Sequence, residues 1–327
     1  MRPFTYVLPK DLAEATAAAA KPDTVLKGAG IDLVDRLKER VLAPETVVNL
    51  LPLKKDLAGI AAEGDGALRL GALTTLQQLA AAGAVAGPAF GAVREAAAVT
   101  ATPQVRARAT LAGALLQQTR CWYLRSAAFG CLHGGDGPVC QAQIGDNRYH
   151  AVHGYVDCVR VHPSNLAPAL LVLDAEYSTA HGDAVLRRRI AELFPDAPLA
   201  SRAEHTLQDG EILTALHLPA QPAGARSAYR ETREKQSFDW ATTAAAAWVV
   251  LDGGVIRDAR LVLGAVAPNP LPRPDAAKLL IGQEPSDELF VRVAHKAYAD
   301  ARPLTGNAYK VQVGKAVVRE VLHAVVR

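Results

Sequence analysis

TVLKGAGIDLVDRLKERV, residues 24–41, reads as three local structures in succession. TVLK is strand-like, Gly28 and Gly30 make a turn, and a helix begins near Asp32. Such a junction aims free backbone N–H groups and the positive end of a helix at one point, which suits a pyrophosphate. It is not the dinucleotide fingerprint, because Leu33 stands where the third glycine of G-x-G-x-x-G would be. By itself the loop fits an ordinary tight turn equally well.

Outward from this stretch the chain keeps alternating. Strand patterns at 4–7, 46–50 and 67–73 are interleaved with helical ones at 9–20, 74–82 (capped by Thr74 or Thr75) and 90–98, an α/β or α+β pattern. Pro103 ends a helix, and TLAGA at 110–114 is a run of small residues. Further on come a short strand at 159–161, a turn at 162–165, a helix at 166–173 leading into 175–179, a polar connection at 186–194 and a strand at 210–219. Residues 219–225, rich in Pro, Ala and Gly, form the linker. Beyond it, 241–251 and 255–264 read as a hairpin about Asp252-Gly253-Gly254, with helices at 274–281, 286–300 and 311–326. A three- or four-stranded antiparallel sheet with helices on one face is expected there. The chain thus divides into a domain at 1–220, with subdomains about 1–57 and 58–220, and a smaller one at 221–327.

Half of the 327 residues are hydrophobic, enough for a sizeable core, and 36 basic against 33 acidic side chains leave a net charge of +3. That balance, without a long basic run, excludes nucleic acid and an anionic membrane as evident partners. There is no apolar h-region near the start and no 18-residue apolar run, so no membrane insertion is expected and cytoplasm is the expected compartment. Export with a partner that carries the signal would place the chain in the periplasm instead.

All four cysteines fall within CWYLRSAAFGCLHGGDGPVCQAQIGDNRYHAVHGYVDC, residues 121–158, at Cys121, Cys131, Cys140 and Cys158. Four thiolates can hold tetrahedral zinc, an iron–sulfur cluster or two disulfides. Structural zinc sites bring ligands in close pairs, whereas the shortest interval here has eight residues. A cluster tolerates longer intervals, and Gly130, Gly134, Gly135 and Gly137 allow backbone to wrap a cofactor. The spacing favours a cluster and leaves the other two open. His133, His150 and His153 lie nearby in supporting roles, or as a ligand if one cysteine does not bind. No Ser/His/Asp or paired-carboxylate constellation stands out.

The order of motifs resembles the FAD-binding medium subunit of the molybdenum hydroxylases, the xanthine dehydrogenase and carbon monoxide dehydrogenase family, over essentially the whole chain. VLKGAGIDLVDRLK is similar to that family's first flavin loop, commonly A-G-G-T-D-L, and ATPQVRARATLAGALLQ to its second, commonly A-T-P-Q-I-R-N-x-A-T-x-G-G-N. HPSNLAPALLVLDA, DGEILTALHLP, LVLGAVAPNPLPRPDAAKLLIG and NAYKVQVGKAVVREVL resemble four later family segments. CWYLR and the further cysteines are similar to the insertion in flavin subunits of bacterial aldehyde oxidoreductases, which carry an additional 4Fe–4S cluster.

The resemblance implies an α+β fold: a two-part FAD-binding domain of the PCMH-like type with a cluster-binding insertion at about 119–160, then a C-terminal domain of antiparallel sheet plus helices. It implies FAD held by Leu26, Lys27, Gly28, Ala29, Gly30, Ile31, Asp32 and Leu33 around the pyrophosphate. Thr110 would offer its hydroxyl, Gly113 its backbone, Leu213 would flank the isoalloxazine, and Asn165 and Arg230 would add contacts. Cys121, Cys131, Cys140 and Cys158 would all ligate the cluster. Partners would be a large molybdenum-cofactor subunit and a small 2Fe–2S subunit in a heterotrimer, with electrons leaving to an external acceptor. A 4-hydroxybenzoyl-CoA reductase-like subunit and a non-enzymatic zinc scaffold are the alternatives. Ile31, Ala112, Ala114 and Asn165 depart from the family's Thr, Gly, Asn and Asp, and Glu231 falls where relatives have a flavin-contacting Lys, for which Arg230 substitutes if the register shifts by one. Each side-chain hydrogen bond lost this way is worth about 1 kcal/mol net.

Overall fold

The computed structural model describes residues 1–195, 203–235 and 239–327. Its architecture is mixed α+β on three sheets. β1 (Thr5–Val7), β2 (Thr24–Lys27) and β3 (Thr46–Asn49) lie parallel in the order β1-β3-β2. The crossovers are α1 (Leu12–Ala19), capped by Asp11 accepting from the Glu14 amide at 2.8 Å, and α2 (Ile31–Lys38). Four-residue spacing puts Leu33 and Leu37 on one face of α2, where they pack with Val47 of β3. The short α3 (Lys54–Leu57) leads out of this sheet.

The second sheet is antiparallel, ordered β4-β5-β8-β6-β7: β4 (Ile60–Ala62), β5 (Leu68–Gly71), β6 (Glu176–His181), β7 (Ala184–Arg189) and β8 (Ile212–Leu218). Between β5 and β6 the chain forms α4 (Leu76–Ala81), α5 (Gly91–Val99), α6 (Pro103–Arg106), α7 (Leu111–Leu115), α8 (Gln141–Ile144) and α9 (Leu166–Val172). Thr75 caps α4 in a capping box with Gln78, while the Thr74 hydroxyl is bound to the backbone of Gly59. The main core lies between β8, buried along its whole length, and α4, α5 and α9. Two expectations fail here. Residues 159–161 join no ladder, and the polar connection at 186–194 begins inside edge strand β7. An edge strand with exposed faces needs charge rather than apolar alternation, so Arg187 and Arg188 replace the usual signal.

The third sheet, β12-β11-β10-β9, is antiparallel and comprises β9 (Ala225–Thr232), β10 (Thr243–Asp252), β11 (Val255–Gly264) and β12 (Leu271–Pro272). α10 (Pro274–Ala277), α11 (Asp287–Ala297) and α12 (Tyr309–Val325) follow. The domain's own helices α11 and α12 cover one face, as expected, and α5 and α9 of the preceding domain cover the other. In β10, Ala244, Ala246 and Trp248 join the core with α5 and α9, whereas Ala245, Ala247 and Val249 join the one with α11 and α12. Burial on both faces explains why this strand reads as a continuous small, apolar run.

Candidate functional site

A cleft of about 570 Å³ opens between the first sheet, the α6–α7 turn and the entry to β8. That volume suits a cofactor-sized ligand, such sites running from about 300 to 1,000 Å³. Leu26 to Leu33 line one wall, Thr110 and Gly113 the facing one, and Asn165 and Leu213 complete it. The β2–α2 turn needs Gly30, whose φ is +83°, and it needs Gly28 because a Cβ there would sit 2.8 Å from Thr110 Oγ1. That hydroxyl is already engaged, accepting from the Gly113 amide at 3.2 Å as the cap of α7. Two loop-to-helix junctions therefore meet at van der Waals contact. The first-turn amides of α7 are taken by Thr74 O, Ala72 O and Thr110 Oγ1, which leaves those of α2, without partners inside their own helix, as the donors a ligand would meet. Lys27 Nζ stands at the rim, 3.3 Å from both Gly28 O and Asn49 Oδ1.

Arg230 does not share this cleft. On β9 it donates to Glu95 at 2.9 Å and to the Tyr229 carbonyl, while Glu231 is taken up by Tyr229 Oη and Arg233. The strand's alternation, with both neighbours already paired, holds it away from the expected flavin contact.

Asp32 fastens the cleft to the cysteine segment. Its carboxylate accepts from Arg120 at 2.8 Å, from Arg125 at 2.6 Å and from the Gln118 amide at 3.2 Å. The Arg125 side chain is only 5% exposed, so Asp32→Ala leaves a buried cation with Glu39 as its remaining carboxylate, besides the carbonyls of Thr119 and Gln118. The expected loss is on the order of 3 kcal/mol. A melting temperature equal to wild type would contradict this reading.

No disulfide joins the four cysteines; all are free thiols, with Cys131 buried and the others partly so. Cys158 hydrogen-bonds Cys140, which draws the Cys140 pKa down to about 6 while Cys158 is pushed up. Burial raises Cys121 to about 11, and Cys131 and Cys140 lie near enough to add to it. The backbone amides point at sulfur: Tyr123 and Leu124 at Cys121, Ala142, Gln143 and Val159 at Cys140, Arg160 at Cys158. Cys121 Sγ also lies 3.2 Å from His150 Nε2. Among the described residues no three His, Cys, Asp or Glu side chains converge on a single metal ion.

Residues 2–221 match the family described as FAD binding domain in molybdopterin dehydrogenase, and residues 227–325 match the CO dehydrogenase flavoprotein C-terminal domain. The chain belongs to the FAD-binding flavoprotein subunits of the molybdenum hydroxylases. This flavoprotein is 31% identical, over 98% of each chain, to the aldehyde oxidoreductase FAD-binding subunit PaoB of Escherichia coli K12. It is 27% identical, over 97% of its own length and 94% of the relative's, to the carbon monoxide dehydrogenase medium chain of Afipia carboxidovorans. Its fold matches a solved carbon monoxide dehydrogenase of Hydrogenophaga pseudoflava with a TM-score of 0.78 at 23% identity, covering 99% of this chain and 98% of that one. The flavoprotein is thus an oxidoreductase subunit, and no helix among its described residues is long and apolar enough to cross a membrane.

Several residues of the flavoprotein's cleft carried no sequence signal. Trp240 lines it, stacked by Arg120 at 4.0 Å and bonded to Gln117, and His205 and Arg36 line the opposite part. These contacts span 120 residues of sequence and follow from no local period. A Ser178–His217–Glu63 relay, with bonds of 2.7 and 2.8 Å, also went unseen; it joins β6, β8 and the residue after β4, and none of the three lines the cleft.

Buried histidines give the flavoprotein a pH dependence. Burial lowers His153 and His162 to about 4 from an ordinary 6.5. Below about 6.5 the unfolded chain takes up protons that the folded one refuses until about 4. Stability is therefore complete above that upper value and falls as pH drops through the window, by a few kcal/mol in all. The melting temperature should be clearly lower at about pH 5 than at pH 7, and a flat profile would contradict this.

Proposed function

We propose that this chain is the FAD- and 4Fe–4S-containing electron-transfer subunit of a heterotrimeric, molybdenum-dependent aldehyde oxidoreductase. The observation that carries the reading is a segment holding four free thiols, ringed by backbone amides and bolted through Asp32 to the flavin cleft. Amides aimed at sulfur stabilise the negative charge of thiolates and of a cluster bound to them. A cluster spreads its ligands over a cube, so it accepts sulfurs set further apart than a single ion does. Cys121, Cys131, Cys140 and Cys158 would hold it. The likeness to PaoB over 98% of the chain supports aldehyde chemistry on a partner.

FAD, when bound, supplies the capacity to accept electrons and pass them to an external acceptor. The chain's own residues bind and orient it. Residues 26–33 turn backbone amides and the α2 N-terminus toward the pyrophosphate, and Lys27 adds positive charge. Thr110 holds the second loop in shape through Gly113, and Leu213, 3% exposed, closes the floor with apolar surface that keeps water out. Asn165, donating to Thr100 at 3.2 Å, fixes the far wall. With Ile31 and Ala114 in place of side-chain donors, binding leans on backbone.

Purification of the native complex tests the assembly. The chain should co-elute with a large subunit containing molybdopterin and a small 2Fe–2S subunit. A chain that elutes alone, with aldehyde oxidation elsewhere, would contradict the proposal.

A further inference from the structure

Five consecutive carbonyls, at residues 148–152, accept hydrogen bonds from the stretch 302–310 of the C-terminal domain. Tyr309 Oη donates to Arg148 O at 2.9 Å, and Lys310 Nζ to Tyr149 O and His150 O, both at 3.0 Å. Asn307 Nδ2 donates to His150 O at 3.2 Å and to Ala151 O at 3.1 Å, and the Arg302 amide to Val152 O at 2.7 Å. Lys310 and Asn307 are fully buried. Lys310 makes its third bond, at 2.8 Å, to Ala265 O, on a residue held at φ +57°. Burying an ammonium requires acceptors, and these sit on the loop that carries His150.

The ring of His150 is as closely set as its backbone. Trp122 packs edge-on against it at 5.2 Å, Nδ1 has no hydrogen-bond partner among the described residues, and Nε2 faces Cys121 Sγ at 3.2 Å. With Cys121 bound to iron as a thiolate its sulfur could only accept, so Nε2 would carry the proton and the unpartnered Nδ1 would not.

We propose that His150 donates an Nε2–H hydrogen bond to Cys121 Sγ that raises the reduction potential of the bound cluster, and that Asn307 and Lys310 are the positioning residues that hold it there. The inference rests on the cluster reading above. Reduction adds negative charge to the cluster and its thiolates, so a donor to sulfur favours the reduced state. The C-terminal domain thereby becomes part of the redox site, although it supplies no ligand.

The test is a redox titration of the holoenzyme, followed by electron paramagnetic resonance, in wild type and His150→Phe. Phe keeps the edge-on packing and lacks the N–H. The expected result is full iron and FAD content with the cluster midpoint shifted negative. A midpoint equal to wild type overturns the proposal. So does loss of iron from the folded variant, which would make His150 a ligand. Lys310→Gln, which slackens the clamp, should move the midpoint the same way by less; it carries the test if His150→Phe does not fold, and an unmoved midpoint there overturns the proposal. Iron-free wild-type protein would instead sink the cluster reading itself.

Discussion

Cys140→Ser is expected to strip the purified protein of the iron held in this chain while leaving most of its FAD. Cys140 is the most connected of the four thiols: it accepts from Cys158 and from three backbone amides, and its charge is felt at Cys121. A hydroxyl is a much poorer ligand for cluster iron than a thiolate, so the cluster is expected to be lost on purification. FAD should survive because most of the residues that line its cleft belong to other loops, among them 26–33, 110–113 and 207–213, with Arg120 the contribution of the cysteine segment. Iron analysis and the flavin spectrum of the same sample read both outcomes. Full iron content in the variant would remove Cys140 from the ligand set.

Gly28→Val is expected to produce the reverse, an iron-containing protein that has lost FAD. The first atom of any side chain at this position lands 2.8 Å from Thr110 Oγ1, which cannot retreat without leaving its bond to the Gly113 amide. The two flavin loops must then part. Overpacking of this kind costs about 1–3 kcal/mol, and misplaced amides add to it, so affinity should fall on the order of 100-fold. Reconstitution of the apoprotein with FAD, followed by flavin fluorescence, measures this. Affinity within a few-fold of wild type would show that the two loops do not grip the cofactor together.

The βαβ opening was legible because each element has its own period and a strong stop: alternation in residues 24–27, glycines at 28 and 30, then apolar spacing of four in α2. The first loop of the cleft was legible for the same reason, whereas the facing residues Thr110, Gly113, Asn165 and Leu213 were named only through the family resemblance. What escaped was set by tertiary context. β7 hid because an edge strand carries charge, and the second face of β10 could not be assigned because Ala packs equally well against either neighbour. Arg230 was placed in the flavin site by register, but Glu95, 135 residues earlier, holds it elsewhere. Trp240 and the 302–310 clamp on His150 are contacts across 120 to 160 residues, which no local pattern encodes.

The most direct test of the central claim is the cofactor content of this subunit purified in its complex and then separated from its partners without air. One FAD and about four irons per chain are expected, with a spectrum that combines flavin and iron–sulfur absorption. A yellow, flavin-loaded subunit free of iron would contradict it.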